Sequence, residues 1–182
     1  MKNKLILLPI IFVLLSCVSR QVYPDVWNPV DISQSGRCPD ITGEYNNEGE
    51  DGHLPYKPDL FLYLYDRNSK YQKASHVSIR QSDEKNVEII FLNKGQAISK
   101  RSLSADSGDF YCEDGFLKIK YKEFIQEFGI AGNVWYTAGF AKSGKDLILK
   151  QDRVALMMFL IFPVTGGGTS WYRFKYQNIE IE

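Results

Sequence analysis

The chain has little of what most catalytic sites are built from: 2 His and 3 Cys stand among 182 residues. A Ser-His-Asp or Cys-His arrangement would have to use His53 or His76. His76 precedes the β-prone Val77 and reads as a surface residue at a strand edge. There is no Gly-x-Ser-x-Gly elbow and no His-Glu-x-x-His. The run Gly166-Gly167-Gly168-Thr169-Ser170 lacks the lysine of a phosphate loop and reads as a flexible turn. No Cys-x-x-Cys spacing occurs either. No catalytic residue, cofactor or metal centre is expected on these grounds. Charge of one sign is also lacking, since 22 basic residues balance 22 acidic ones, so no nucleic acid or other polyanion is implied as a partner. The apolar segment Leu5 to Leu15 falls short of the roughly 20 residues that a membrane-spanning helix needs.

That short segment is nonetheless informative. Lys2 and Lys4 precede it, the layout of a secretory signal. It closes on Leu14-Leu15-Ser16-Cys17, which resembles the lipobox of bacterial lipoproteins: aliphatic residues, then a small one that lets the peptidase approach, then a nucleophilic thiol. The resemblance implies removal of residues 1–16, a thioether-linked diacylglycerol on Cys17 and an acyl chain on its freed amine. Each buried methylene contributes roughly 0.8 kcal/mol, so one chain holds reversibly and two or three hold firmly. An ordinary signal peptide with a bare Cys17 is the alternative. In lipoproteins of Gram-negative type, Asp after the cysteine retains the protein at the inner membrane; Val18 here implies the outer membrane, with the domain facing the periplasm.

The mature chain would carry 20 basic and 22 acidic residues, because Lys2 and Lys4 leave with the signal. Its length fits one domain, taken as 38–182. Cys38 and Cys112 remain, and in an oxidising compartment they are expected to pair, with two free thiols as the alternative. Residues 17–37, with Pro24, Pro29 and Gly36 and no sustained periodicity, are expected to form a flexible tether; Tyr23 and Trp27 within it could dock on the domain or lie at the membrane interface.

From Cys38 onward the pattern is that of short strands. Aromatic content of 14%, mostly Tyr and Phe, suits half-buried sheet surfaces. Pro58 and Asp59 supply a helix start, and one short helix is expected near 58–66. Val77 to Arg80 and Val87 to Leu92 flank the turn-rich Ser82 to Asn86 and read as a hairpin. Asp114-Gly115 is a hairpin turn into a strand with Leu117, Ile119 and Tyr121 inward. Val134, Tyr136, Ala138 and Phe140 share a face. A last strand is expected from Trp171 to Tyr176. Nine or ten such strands predict a mainly β fold, an antiparallel meander curling into a small barrel or half-barrel of lipocalin-like architecture.

Two phrases, Cys38-Pro39-Asp40-Ile41-Thr42-Gly43-Glu44-Tyr45 and Tyr111-Cys112-Glu113-Asp114-Gly115, with Trp171-Tyr172-Arg173-Phe174, resemble a family of small uncharacterised bacterial lipoproteins. The resemblance implies envelope location and supports the Cys38 to Cys112 pairing; it implies no activity. Gly43-x-Tyr45 is also similar to the Gly-x-Trp start of lipocalin barrels.

One stretch invites a functional reading. Val154 to Phe162 is apolar without interruption, which requires burial on both faces or contact with lipid, an apolar ligand or another protein. Leu156, Met157, Met158, Phe159 and Leu160 form the candidate patch, and the methionines would adapt to irregular partners. A lipid-anchored, non-catalytic envelope module is the expectation. A competing reading, a metal-assisted hydrolase, would use Glu48, Glu50, Asp51 and His53, with His76 as a further candidate.

Overall fold

The computed structural model describes residues 17–31, 37–65, 73–127, 129–160 and 162–177. Its elements run β1 (Cys17–Arg20), β2 (Gly43–Asn46), β3 (Glu50–Asp51), α1 (Phe61–Leu64), β4 (His76–Asp83), β5 (Asn86–Asn93), β6 (Gln96–Ser104), β7 (Tyr111–Glu113), β8 (Phe116–Glu127), β9 (Ile130–Ser143), β10 (Asp146–Phe159) and β11 (Phe162–Phe174). The fold is mainly β, as expected, with two open sheets in place of a closed barrel. One sheet has the order β2-β4-β5-β6; the other runs β1-β11-β10-β9-β8-β7, with β3 also on β11. Within the second sheet the pairings are antiparallel except for β1, which lies parallel to β11.

Alternating side chains put one face of each sheet against the other. Val77 and Ile79 of β4, with Val87, Ile89 and Phe91 of β5, meet Leu117, Ile119, Ala138, Phe140, Leu147, Leu149, Tyr172 and Phe174 of the long strands. The short helix appears where expected and closes one side of this core with Phe61, Tyr63 and Leu64. Asn47, buried between strand and helix, accepts the Phe61 N–H through its side chain at 2.8 Å, which satisfies a donor at the helix start. The chain end after β11 runs beside β2, with Asn46 N–H donating to Lys175 O and Gln177 N–H to Glu44 O. The Cys38–Cys112 disulfide ties the segment leading into β2 to β7 of the other sheet. For a sequence separation of 74, chain-entropy reasoning assigns such a link about 4 to 5 kcal/mol.

Three expectations are corrected. The tether expected over 17–37 is, in its described part, laid along the domain: β1 pairs with β11, and Pro24 and Trp27 are buried. The aromatic docking follows from Trp171, whose ring lies 5.1 Å from Tyr23 and 6.2 Å from Phe116, so a water-facing aromatic patch is covered by residues 21–31. Residues 32–36 and the signal 1–16 lie outside the described residues.

The glycine run is a second correction, because β11 passes straight through it. A Cβ on Gly168 would sit 2.7 Å from Ser19 O, so the missing side chain admits β1 to the strand edge. Thirdly, Val154 to Phe162 is not a buried strand. β10 ends at Phe159, Leu160 turns with φ 55°, and β11 begins at Phe162; Val154, Leu156, Met158, Phe159, Leu160 and Phe162 are exposed. Ile161 lies outside the described residues.

Candidate functional site

The two sheets differ in length, and the difference makes the site. β4, β5 and β6 have 8, 8 and 9 residues, whereas β8 to β11 have 12, 14, 14 and 13. The long strands therefore run beyond the core as a four-stranded arm. Its root is marked by a tyrosine cluster: Tyr121 stacks on Tyr136 at 4.8 Å, Gln151 Nε2 donates to Tyr121 Oη at 2.7 Å, and Tyr172 lies 5.6 Å from the buried Tyr63 ring. Burial pushes the Tyr63 phenol well above its ordinary range, with Tyr172 nearby adding to the shift, so it stays protonated. From Gln151 to Phe159 the arm extends about 25 Å at roughly 3.3 Å per residue.

Register fixes what each face of the arm carries. Leu156 and Met158 share the outer face with Asn133 and Ala131 of β9 and Thr165 and Pro163 of β11, while Met157 and Phe159 share the inner face with Gly132, Ile130, Val164 and Phe162. Leu160 caps the end, and its N–H donates to Gly129 O across the two hairpin ends. Leu160 is 70% exposed and Phe162 55%. The candidate patch Leu156 to Leu160 is thus split between two faces and a turn. Phe124 and Ile130, which local sequence did not single out, are brought to the same end by the β8–β9 pairing.

Cys17 comes to this arm. In the parallel pairing Cys17 lies opposite Gly166 and Arg20 opposite Thr169, and Gln21 N–H donates to Thr169 O. Between β1, β10 and β11 runs an open groove of about 710 Å³ lined by Val18, Arg20, Lys150, Arg153, Val154 and Trp171 among others. It joins apolar surface to charged side chains, Asp152 among them, beside the strand that begins at Cys17.

The alternative metal residues do not converge. Glu50 accepts from Arg173 at 2.6 Å and from Lys175 at 2.7 Å, and those two hydrogen bonds hold its carboxyl below the usual range. Glu48 pairs with Lys57. Asp51 accepts the N–H groups of His53 and Leu54, and the His53 ring Nε2 lies 2.7 Å from Val22 O, on the docked N-terminal segment. His76 bonds Ser75 through Nδ1. Among the described residues, no group of three His, Cys, Asp or Glu could hold a metal ion. Glu50 thus fastens β3 to the β11 edge and His53 meets the N-terminal segment, with Glu50 opposite Arg173 and Asp51 opposite Tyr172 in the strand register. Among the described residues no helix is long and apolar enough to cross a membrane. Comparison of the chain with family models, curated proteins and solved structures finds no match in any of the three.

Proposed function

We propose that this chain is a lipid-anchored, non-catalytic module of a bacterial envelope, held at the outer membrane through Cys17, whose β-rich domain presents the arm of β8 to β11 to an apolar ligand or another envelope component. The observation that carries the reading is the apolar end of the arm, where Met158, Phe159, Leu160 and Phe162 stand exposed on two hydrogen-bonded strands. Isolated exposed apolar residues are ordinary, but a contiguous cluster on projecting strands marks an interaction surface. The lipobox at Leu14 to Cys17 supports the anchor.

The reading is tested with an apolar fluorescent probe and the variant Met158→Asp. Met158 is 44% exposed, so a carboxylate there leaves the core intact while placing charge on the patch. Probe uptake by the parent protein and its loss in the variant, with export and folding unchanged, is the expected result. Failure of the parent to take up the probe or to capture any envelope component removes the basis of the proposal.

A further inference from the structure

The arm does more than expose apolar side chains, since the whole end is sorted by charge along its length. Among residues 124–127, 129–133, 156–160 and 162–165 the single charge is Glu127. The register Cys17–Gly166, Gly166–Ala155, Ala155–Val134 and Val134–Glu123 defines one level across β1, β11, β10, β9 and β8. At that level or within three residues on its core side stand Lys120, Lys122, Arg153 and Arg20, together with Glu123 and Asp152. Trp135 lies there too, with the Lys122 ammonium 5.3 Å from its ring. An almost uncharged apolar end, then a charged band with basic residues in excess and an aromatic ring, is the order of chemistry across a membrane interface.

Cys17 lies at the belt, and because β1 is parallel to β11, the direction back from Cys17 points toward Phe162. The backbone amine of Cys17, which the expected acyl chain would modify, therefore lies on the side of the apolar end. We infer that this end, Met158, Phe159, Leu160 and Phe162 with Ile130 and Phe124, dips into the very bilayer that holds the Cys17 lipid, so that anchor and arm form one composite attachment. The inference rests on the anchored reading above and names its partner: a lipid surface.

Geometry limits the depth. Four residues separate the Cys17 level from Phe162, about 13 Å of strand at roughly 3.3 Å each, whereas a strand crossing a bilayer needs about 9 to 11 residues. The outer edges of β8 and β11 near the end have no paired strand among the described residues, and unpaired backbone groups are costly in hydrocarbon. The end therefore enters only the boundary between headgroups and acyl chains in one leaflet, and Glu127, level with Ile130, Phe159 and Phe162, keeps the tip of β8 at the headgroups. The domain is thereby held in one orientation, core outward, in place of swinging on its lipid.

The test uses the full mature chain, isolated from membranes and reconstituted in phosphatidylethanolamine and phosphatidylglycerol vesicles whose acyl chains carry bromine. Leu160→Trp reports the arm end and Lys145→Trp the opposite end; the native Trp27, Trp135 and Trp171 are subtracted using the parent protein. Leu160→Trp should emit at shorter wavelength and be quenched severalfold more than Lys145→Trp, with Phe162→Trp as a second reporter. Equal quenching at both ends overturns the inference, whether the arm is then found in water or packed on a second copy of the chain. Mass spectrometry of the same sample separates the two ideas: a lipidated Cys17 with an unquenched Leu160→Trp leaves the anchor standing and removes the dipping arm, while a bare Cys17 with strong quenching does the reverse.

Discussion

The Tyr45 hydroxyl donates to Ile41 O, four residues back, at 3.0 Å, and the ring must pass over Gly43 to reach it. A Cβ on Gly43 would lie 2.6 Å from that hydroxyl, inside contact distance of a fully buried ring. Gly43→Ala should therefore cost about 1 to 3 kcal/mol in a denaturant titration, the range for forced overpacking. An unchanged midpoint would mean that the ring is not held there. Glu50 gives a prediction of different form. Its carboxyl is depressed by Lys175 and Arg173, so its contribution exists above the unfolded carboxylate value and disappears as pH falls through the folded one. With the side chain 42% exposed, solvent screening limits the contribution to about 1 kcal/mol or less. Glu50→Gln should thus be slightly less stable than the parent at neutral pH, with the difference vanishing once pH falls below the depressed folded value; an equal loss at neutral and at acid pH would contradict the ion pairs as the cause. Of these two features, Gly43-x-Tyr45 was visible in the sequence as a strand start. The partners of Glu50 were not, because Arg173 and Lys175 are brought to it only by the β3–β11 pairing.

Strands were legible where alternation met a turn that local chemistry specifies. The hairpin β4–β5 and the Asp114-Gly115 turn between β7 and β8 both fall where the sequence places them. The glycine run was not legible, since three residues without side chains carry no pattern and their strand conformation is imposed by β10 on one edge and β1 on the other. The same absence of pattern hid β1 in what reads as a tether. These two errors share one cause and one test. Gly168→Ala places a methyl against Ser19 O and should loosen β1 alone: amide exchange at Val18, Ser19 and Arg20 should accelerate while that of Leu147 and Leu149 in the core stays slow. Unaltered exchange at β1 would show that the glycine run is not what seats it.

At the scale of the molecule, the apolar content is divided between two tasks. One end of the long sheet packs against the shorter one as a core; the other end continues as an arm with apolar residues on both faces and at its turn. Composition alone cannot separate these, because Val154 to Phe162 has the same character whether it is covered or not; only strand lengths and register reveal that the partner sheet stops short. The disulfide, the docked segment 21–31 and the β1 and β3 pairings secure the opposite features, a rigid body with its covered edge beside Cys17.

Lipid attachment at Cys17 underlies both the anchor and the dipping arm, and mass spectrometry of the mature N-terminal peptide addresses it directly. A peptide beginning at Cys17, heavier by a thioether-linked diacylglycerol and an amide-linked acyl chain, is the predicted result. A peptide that retains residues 1–16, or one with a bare thiol at Cys17 after export, would contradict the account.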